Sequence, residues 1–444
     1  MRGYLTSSIG ITCAAALALP PAVLNQPSAA AASVPVPVRG LPAGGTQSLP
    51  LAPRTRERVL GQAPEQGVRR EDVRHFSLVG VVWDNPGAEL HGTVQVRTRS
   101  AGTGVWSGWQ DVDTHNADHG ADPDTPEAAS GRVRGATAPL WVGDSDGVDV
   151  RVRAEADEGP GPLGNGGRDL LPAGLRLELV DPGADSPPEG SPADAAHAED
   201  DATAATNAGL APLGATEIPA LDREDTEREL LELEGVDVPR GKPYIGPRPR
   251  IVTRRGWHAD ESLREKGFVY TGKVKAAFVH HTDSGNGYKC SQAPSVIRSI
   301  YRYHVVSMGW RDIGYNFLVD KCGTIYEGRA GGVAKAVKGA HTLGFNSNST
   351  GVAVIGTFDS HKPPAAAVTA IARITAWKLG LFGANPKGKT YLRSGGGNLY
   401  PKGKNVRLNV ISGHRDGYAT DCPGARLYAK LGSARTSSAH LQGR

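Results

Sequence analysis

The sequence predicts a small all-β, sandwich-like domain followed by an α/β domain whose central mixed β-sheet is flanked by helices. Three observations support this order. Apolar and polar residues alternate in short runs between residues 75 and 182, which is the pattern of half-buried strands. Residues 183–244 are rich in Ala, Pro, Asp and Glu, a composition typical of a linker. From residue 245 onward, short apolar runs alternate with stretches of helical spacing, as in α/β domains.

The first residues indicate an export signal, which we assign to residues 1–32. Arg2 supplies a positive charge, residues 9–19 are apolar, and residues 29–32 offer small-residue cleavage sites. A mildly apolar tail without a signal function is the alternative. The apolar run is too short to span a bilayer, so we expect a secreted, extracellular protein without a stable membrane span.

The β domain is predicted over residues 75–182. Residues 33–74 before it are rich in Pro, Gly and Arg without a sustained period, which predicts a disordered leader. Strands are predicted at residues 77–83, 92–99, 148–153 and 175–180. Four tryptophans in this region form either a carbohydrate-stacking surface or part of the core; they are Trp83, Trp106, Trp109 and Trp141.

The α/β domain is predicted over residues 245–434, with a disordered tail at residues 435–444. Within the linker, Leu221 to Glu234 has the spacing of a short acidic helix. Strands are predicted at residues 275–281, 315–319, 324–326, 351–356 and 406–413, and helices at residues 293–306 and 365–381. The first of these strands ends in His280-His281, and His414 directly follows the last.

Charge is divided unevenly along the chain. Residues 241–444 hold 31 Lys and Arg against 10 Asp and Glu, whereas the first 240 residues are net acidic. A basic C-terminal half favours an anionic partner. Charge alone leaves cell-wall polymers, nucleic acid and membrane surfaces as alternatives.

Two histidines and one cysteine form a candidate metal site. His280 and His414 each end a predicted strand, and Cys422 follows eight residues after His414. Strand ends are where α/β folds place reactive groups, and two imidazoles with a thiolate are zinc ligands that leave a fourth position open. The alternatives are a hydrogen-bonded histidine at a strand end and a buried thiol.

Several ordered motifs then identify a resemblance. They are Phe278-Val279-His280-His281-Thr282, Tyr303-His304, Gly309-Trp310-Arg311-Asp312-Ile313-Gly314-Tyr315-Asn316-Phe317, Ile325-Tyr326-Glu327-Gly328-Arg329, Gly339-Ala340-His341-Thr342, Asn346-Ser347, Gly413-His414-Arg415-Asp416 and Thr420-Asp421-Cys422-Pro423-Gly424. With these motifs, residues from about 248 to 431 resemble the peptidoglycan recognition protein family, which is also the type 2 N-acetylmuramoyl-L-alanine amidase family. The β domain and linker resemble, more loosely, accessory regions of secreted actinobacterial amidases.

The resemblance implies roles for the matching residues. It makes His280, His414 and Cys422 the ligands of a zinc ion, and it places Tyr315 and Thr420 beside the metal as catalytic groups. Family members that only bind peptidoglycan typically lack the cysteine that this chain keeps. No Glu stands in an obvious position for the general base, and Asp416 is only a candidate.

The resemblance also implies a substrate groove, and with Cys422 assigned to the metal, a disulfide between the two remaining cysteines of the domain is a hypothesis. Groove positions that contact muramyl peptide in the family match Thr282, His304, Trp310, Arg329, His341 and Asn346. Arg329 as a surface ion pair and His341 as a turn residue are the alternatives. Pairing of Cys290 with Cys322 would close a loop of about 30 residues and stabilise the fold by roughly 3 kcal/mol in the chain-entropy model.

The leading functional hypothesis is therefore a zinc amidase, associated with the cell wall, that cleaves the amide between the lactyl group of N-acetylmuramic acid and L-alanine. Its expected partners are peptidoglycan and anionic cell-wall polymers. A non-catalytic peptidoglycan-binding protein is the second hypothesis. A nucleic-acid binder is disfavoured because the chain lacks a recognisable nucleic-acid module.

Overall fold

The computed structural model describes residues 44–54, 64–155, 171–184, 198–234 and 243–444. The predicted export signal at residues 1–32 lies outside these ranges. All of these described residues belong to one compact unit. Among the described helices, none is long and apolar enough to cross a membrane.

Nine strands build the β domain, and the alternation of apolar side chains sets their buried faces. In the fifth strand, Val94 and Val96 are buried and Gln95 between them is partly exposed. The strands are β1 (Gly45–Pro50), β2 (Ala52–Pro53), β3 (Glu65–Arg70), β4 (Phe76–Trp83), β5 (Gly92–Ser100), β6 (Gln110–Val112), β7 (Gly135–Ala136), β8 (Leu140–Ala154) and β9 (Arg176–Asp181).

The long strand β8 joins two groups of strands. Its first half pairs with β4, which continues to β9 and β1, whereas its second half pairs with β3 and β5. Apolar side chains from both groups meet in one core. This arrangement confirms the predicted sandwich-like domain.

The predicted leader at residues 33–74 contains strands β1, β2 and β3, so the prediction of disorder is wrong for these residues. These strands are ordered because they pair with other strands of the domain. All six residues of β1 pair with β9, and all six residues of β3 pair with β8. Only Gly67 and Val68 of β3 are buried, so the segment carries little apolar periodicity of its own and is ordered by its partner strand.

The four tryptophans divide between the two alternatives. Trp83 and Trp141 are buried in apolar clusters. Trp106 and Trp109 are partly exposed and lie under arginine side chains, with the Arg97 guanidinium 4.8 Å from the Trp109 ring centre. The core interpretation therefore holds for one pair, whereas the rings of the other pair lie against arginines, and a carbohydrate-stacking surface there stays a prediction.

The predicted linker contains helices α1 (Ala198–Ala205) and α2 (Arg223–Glu234) and strand β10 (Glu217–Ile218). Helix α2 confirms the predicted acidic helix. Residues 198–234 are more than the predicted linker, because the segment packs into the core of the α/β domain through Leu210, Ile218 and Leu230.

The α/β domain contains a seven-stranded mixed sheet in the order β10-β11-β14-β13-β15-β12-β18. The central strands β13, β15, β12 and β18 are parallel, and β14 is antiparallel to β13. Besides β10, the strands of this sheet are β11 (Ile251–Val252), β12 (Ala276–His281), β13 (Phe317–Val319), β14 (Ile325–Glu327), β15 (Ser349–Val354) and β18 (Ile411–Gly413). Strands β16 (Lys389–Arg393) and β17 (Asn405–Asn409) form a separate two-stranded sheet.

Helices cover both faces of this sheet, as predicted. They are α3 (Ala293–Arg302), α4 (Ala365–Gly380), α5 (Ala425–Tyr428) and α6 (Leu431–Leu441), with 3₁₀ turns at Cys290–Gln292 and His414–Asp416 and a π-helical turn at Tyr303–Ser307. Helices α4 and α6 pack on the face that carries Val279, Phe317 and Val352. Helix α3 packs on the opposite face.

Two further predictions for this domain are wrong. The single strand predicted at residues 406–413 divides into β17, which pairs with β16 in a separate two-stranded sheet, and β18, which joins the main sheet. The predicted disordered tail at residues 435–444 contains most of α6. Its small residues Ser438 and Ala439 are buried in the helix that packs on α4, and small side chains carry a weak apolar signal in the sequence.

The β domain packs directly on the α/β domain. Leu78 and Val180 of the β domain share an apolar cluster with Ile297 and Ile300 of α3. The Tyr303 hydroxyl donates to the carbonyl of Thr137 at 3.1 Å. Because the cluster between the domains is apolar and buried, the two domains form one body rather than two bodies joined only by a linker.

The predicted disulfide between Cys290 and Cys322 is present. It joins the 3₁₀ turn before α3 to the turn between β13 and β14. Cys422 is the remaining cysteine among the described residues, and it is buried.

Candidate functional site

The sheet brings the two predicted histidine ligands together. Strands β12 and β18 are parallel neighbours, with Val279 opposite Gly413, so the residues that follow meet at one edge of the sheet. The ring centres of His280 and His414 lie 4.5 Å apart. Because side chains alternate along a strand, His280 points away from the face on which Val279 contacts α4.

The predicted third ligand lies in the same place. The Sγ atom of Cys422 is 3.7 Å from Nδ1 of His280 and 3.9 Å from the carbonyl oxygen of His281. The turn that carries Cys422 is tied back to His414, since the amide of Arg415 donates to the Cys422 carbonyl at 3.0 Å. The three predicted ligands are therefore assembled from two strand ends and one loop.

A fourth side chain, His119, completes the group. One ligand atom from each of His119, His280, His414 and Cys422 lies within 4.8 Å of the other three. His119 comes from the loop between β6 and β7, residues 113–134, which we call the β6–β7 loop. Sequence reasoning missed it, because its only local signal is the density of His and Asp in residues 111–124.

Each histidine has one ring nitrogen engaged by the protein and the other directed to the cluster. Nδ1 of His119 lies 2.8 Å from Oδ1 of Asp118, and Nε2 of His414 lies 3.2 Å from the Asp118 carbonyl oxygen. Nε2 of His280 lies 3.2 Å from Nδ1 of His341. The other nitrogens of His119 and His414 are buried without a hydrogen-bond partner, and Nδ1 of His414 lies 3.6 Å from Oδ2 of Asp118.

These unpaired atoms test whether a metal fits. Buried imidazole nitrogens without partners are unfavourable, and they become satisfied when they ligate a cation. Three imidazoles and one thiolate form a ligand set that zinc accepts. The carboxylate of Asp118 holds His119 as an orienting residue holds a metal-bound histidine. The residues present therefore fit a zinc ion.

The electrostatics of the cluster follow from burial. Burial lowers the pKa of His280 well below its usual value and lowers the pKa of His414 to about 3, although Asp118 opposes the second shift. Both imidazoles are therefore neutral and keep a lone pair. Burial also raises the pKa of the Cys422 thiol. A bound dication reverses that shift, because it stabilises the thiolate directly.

The two predicted catalytic residues lie beside the cluster. The ring centre of Tyr315 is 5.5 Å from that of His280, and burial raises the pKa of the Tyr315 hydroxyl, which therefore keeps its proton. The Thr420 hydroxyl accepts from the amide of Cys422 at 3.1 Å and hydrogen bonds to Asp118. The Tyr315 hydroxyl is thus available as a hydrogen-bond donor next to the candidate metal centre, whereas the Thr420 hydroxyl donates to Asp118 and keeps only acceptor capacity.

The candidate general base is placed differently. Oδ2 of Asp416 accepts from the amide of Gly413 at 2.9 Å, and Oδ1 accepts from the Tyr428 hydroxyl at 2.6 Å. Both carboxylate oxygens are therefore occupied in holding the turn that presents His414. This geometry assigns Asp416 a structural task.

The six predicted groove residues lie around the cluster, but all of them are buried. His304 stacks on Trp310 with ring centres 4.5 Å apart. Thr282 accepts from the amide of Gly356 at 3.0 Å, and His341 contacts His280. The π-helical turn Tyr303–Ser307 carries His304, and π turns occur frequently at functional sites.

The β6–β7 loop covers the remaining two groove residues. Arg329 is held by the Glu127 carboxylate in a two-point ion pair of 2.9 and 3.0 Å. Asn346 donates to Asp122 and to the Gly120 carbonyl, both at 2.8 Å. The alternative for Arg329, a surface ion pair, is wrong, because the Arg329 and Glu127 side chains are only 5% and 10% exposed.

Comparison with known families matches both domains. Residues 29–172 match the family described as Rv3811 N-terminal galactose-binding domain-like, and residues 270–425 match the family described as N-acetylmuramoyl-L-alanine amidase. Peptidoglycan-recognition protein SC2 of Drosophila simulans is 30% identical over 183 residues, which cover 41% of this chain and 84% of that protein.

Two solved structures are also similar. Drosophila PGRP-LB shares 25% sequence identity, with a TM-score of 0.33 and coverage of 41% of this chain and 92% of that chain. Peptidoglycan recognition protein-LE in complex with tracheal cytotoxin shares 29% identity, with a TM-score of 0.33 and coverage of 41% and 92%. The sequence match to SC2 carries the assignment. The chain therefore belongs to the peptidoglycan-recognition protein and type 2 N-acetylmuramoyl-L-alanine amidase family, a family of peptidoglycan recognition and amide cleavage.

Proposed function

We propose that this protein is a zinc-dependent N-acetylmuramoyl-L-alanine amidase, secreted to the cell wall, that hydrolyses the amide between the lactyl group of N-acetylmuramic acid and L-alanine. The observation that carries the proposal is the convergence of His280, His414 and Cys422. A protein that only binds peptidoglycan has no need of a thiol at this position.

The ligands prepare the site for amide hydrolysis. His280, His414 and Cys422 would hold a zinc ion, which would supply a Lewis acid that lowers the pKa of water toward neutrality and polarises the scissile carbonyl. His341 and Asp118 fix the orientation of the ligand imidazoles, so that their lone pairs stay directed to one point.

Tyr315 and Thr420 complete the proposed catalytic group. The Tyr315 hydroxyl keeps its proton because burial raises its pKa, so it can donate a hydrogen bond to the carbonyl oxygen as negative charge develops there. Thr420 lies on the side of Cys422 and Asp118, from which its hydroxyl can orient the attacking water.

The remaining groove residues suit a sugar–peptide ligand. Trp310 offers an apolar face for a pyranose ring, Arg329 offers a planar guanidinium for a stem-peptide carboxylate, and Asn346 offers an amide for a peptide bond. Trp310 stacks on His304, which contacts Tyr315, and Asn346 accepts from the amide of His341, so two of these residues are joined to the cluster through a single neighbouring residue or two.

The test measures chemistry and metal content separately. Purified full-length chain should hold one zinc per molecule and release new L-alanine amino termini from bacterial cell walls. Because the β6–β7 loop covers the groove, the assay includes the Asp122→Asn, Glu127→Gln double variant, which leaves the metal ligands untouched. His414→Ala should abolish the release, and His361→Ala, which alters an exposed histidine, should not.

A non-catalytic peptidoglycan-binding protein is the second candidate, and one observation favours it. The fourth position of the cluster is filled by His119, and a zinc site closed by four protein ligands is the pattern of structural sites. Cell-wall binding without new amino termini, in the wild-type chain, the double variant and His119→Ala alike, would refute the amidase and establish the binding role.

A further inference from the structure

We propose that the β6–β7 loop, residues 113–134, is an autoinhibitory segment that occupies the muramyl peptide groove and closes the metal centre with His119 as a fourth ligand. This inference rests on the proposed function of the groove. It concerns a part of the chain that lies in the β domain, outside the matched amidase region at residues 270–425.

The first support is the geometry of His119. Its ligand nitrogen lies within 4.8 Å of the ligand atoms of His280, His414 and Cys422, and it is buried without a hydrogen-bond partner. Its other ring nitrogen is held by Asp118. A histidine fixed in this way at an open zinc position displaces the water that hydrolysis requires.

The second support is that the loop contacts the groove where a substrate would. The two oxygens of the Glu127 carboxylate accept hydrogen bonds from the two terminal nitrogens of the Arg329 guanidinium. A stem-peptide carboxylate is expected to make the same contact. The Asp122 carboxylate accepts from the side chain of Asn346 and from the amide of Gly344 at 3.0 Å. The loop therefore presents acidic groups to the donors that the proposed substrate needs.

The third support is that the loop main chain is seated on the catalytic domain. The carbonyl of Asp118 accepts from the amide of Leu343 at 3.0 Å, and the amide of Arg134 donates to the carbonyl of Met308 at 3.0 Å. At Gly309, where φ is +76°, an added Cβ would lie 2.1 Å from the Arg132 carbonyl oxygen. The loop main chain and the main chain at Gly309 approach so closely there that no side chain fits between them.

Opposite charges on the loop and on the C-terminal half of the chain favour binding of the loop in the groove. The catalytic half carries the excess of Lys and Arg noted above, and residues 113–134 hold five Asp and Glu. One of these, Asp122, also lies 3.3 Å from the ammonium of Lys338. The basic half of the chain thus meets an anionic partner within the same molecule.

The first experiment tests the metal ligand without using activity. Zinc-free chain is reconstituted with Co²⁺, and its ligand-field spectrum is compared for wild type, His119→Ala and His115→Ala. His115 lies in the same loop, but it is exposed and contacts only its neighbour Asp113. We expect a changed spectrum and at least tenfold faster zinc loss to a chelator for His119→Ala alone. An unchanged spectrum in His119→Ala would overturn the proposal.

The second experiment tests occupation of the groove. Binding of a soluble muramyl tripeptide to the zinc-free full-length chain is measured by calorimetry for wild type and for Asp122→Asn, Glu127→Gln. Asp124→Asn is the control, because Asp124 pairs with Lys402 where both side chains are 67% exposed. We expect the double variant to bind at least tenfold more tightly than wild type, and the control to match wild type. Equal affinities in all three, including no binding by any, would overturn the proposal.

The two experiments separate this inference from the proposed function. Neither the cobalt spectrum nor calorimetry depends on hydrolysis. If both give the expected result and no variant releases amino termini from cell walls, the amidase is refuted while the inhibitory loop stands. If the wild-type chain hydrolyses cell walls as fast as His119→Ala and the double variant, the loop is not inhibitory.

Discussion

The ion pair between Glu127 and Arg329 makes a quantitative prediction about how firmly the β6–β7 loop is held. The pair has two hydrogen bonds of 2.9 and 3.0 Å, and the side chains are 10% and 5% exposed. Removing one partner of a buried pair destabilises a protein by about 3–5 kcal/mol, because the other charge stays buried without its counterion. In Glu127→Ala, Arg329 still donates to the Ile313 carbonyl at 2.9 Å, so we expect the lower end, about 3 kcal/mol.

The assay is urea unfolding of the metal-free full-length chain, combined with amide hydrogen exchange of the loop. Asp124→Ala is the matched control, since it removes a carboxylate of the same loop from an exposed pair, and exposed pairs contribute about 1 kcal/mol or less. Glu127→Ala, Arg329→Ala and the double variant form a cycle that isolates the coupling between the two side chains. The effect of Glu127→Ala should persist at high salt, because buried charges are weakly screened.

The result that refutes this reasoning is a loss of stability in Glu127→Ala no larger than in Asp124→Ala. Equal exchange rates for residues 113–134 in wild type and Glu127→Ala would refute it as well. Either result would mean that the pair is solvated and that the loop is held by its other contacts.

Three further predictions follow from other parts of the structure. Replacing Cys290 and Cys322 by Ser should destabilise the fold by about 3–4 kcal/mol, since their bond closes a loop with a sequence separation of 32 residues; an unchanged urea midpoint would contradict this. Burial, with Asp113 as a charged neighbour, raises the pKa of Asp283 to about 7, so Asp283 contributes stability at low pH that is lost as the pH rises through 7. Asp283→Asn in the metal-free chain should therefore gain about 1–3 kcal/mol over wild type between pH 5 and pH 8, and a pH-independent difference in thermal midpoints would refute it. Tyr315→Phe, placed in the chain with an opened loop, should lower kcat about 10²–10³-fold while zinc content stays at the wild-type level; equal kcat would remove Tyr315 from the catalytic group.

Much of the fold could be predicted from local patterns. The alternation in β5 and the apolar run in β12 have a period that a strand imposes on its own residues, and the structure has strands there. The same holds for α2 and α4, whose spacing is helical. The predictions failed where a segment is ordered by its partner. Strand β1 is paired along its whole length by β9, and α6 packs on α4 through small residues, so neither has a strong pattern of its own.

The metal ligands divide in the same way. His280, His414 and Cys422 could be predicted because motif order and strand ends mark them in the sequence. His119 could not, because it lies 161 residues before His280 in a domain whose own strands give no reason for a ligand. Its place depends on how the β domain packs against α3, through contacts such as that between Tyr303 and Thr137.

By itself, therefore, the sequence determined the order of strands and helices, the family motifs and three of the four side chains at the candidate metal centre. Only the tertiary structure decided that the fourth side chain comes from the β domain and that an acidic loop covers the groove. The physical reason is that local periodicity records how a segment folds on itself, whereas the docking of one domain on another is set by the shape and charge of surfaces that form only after both have folded.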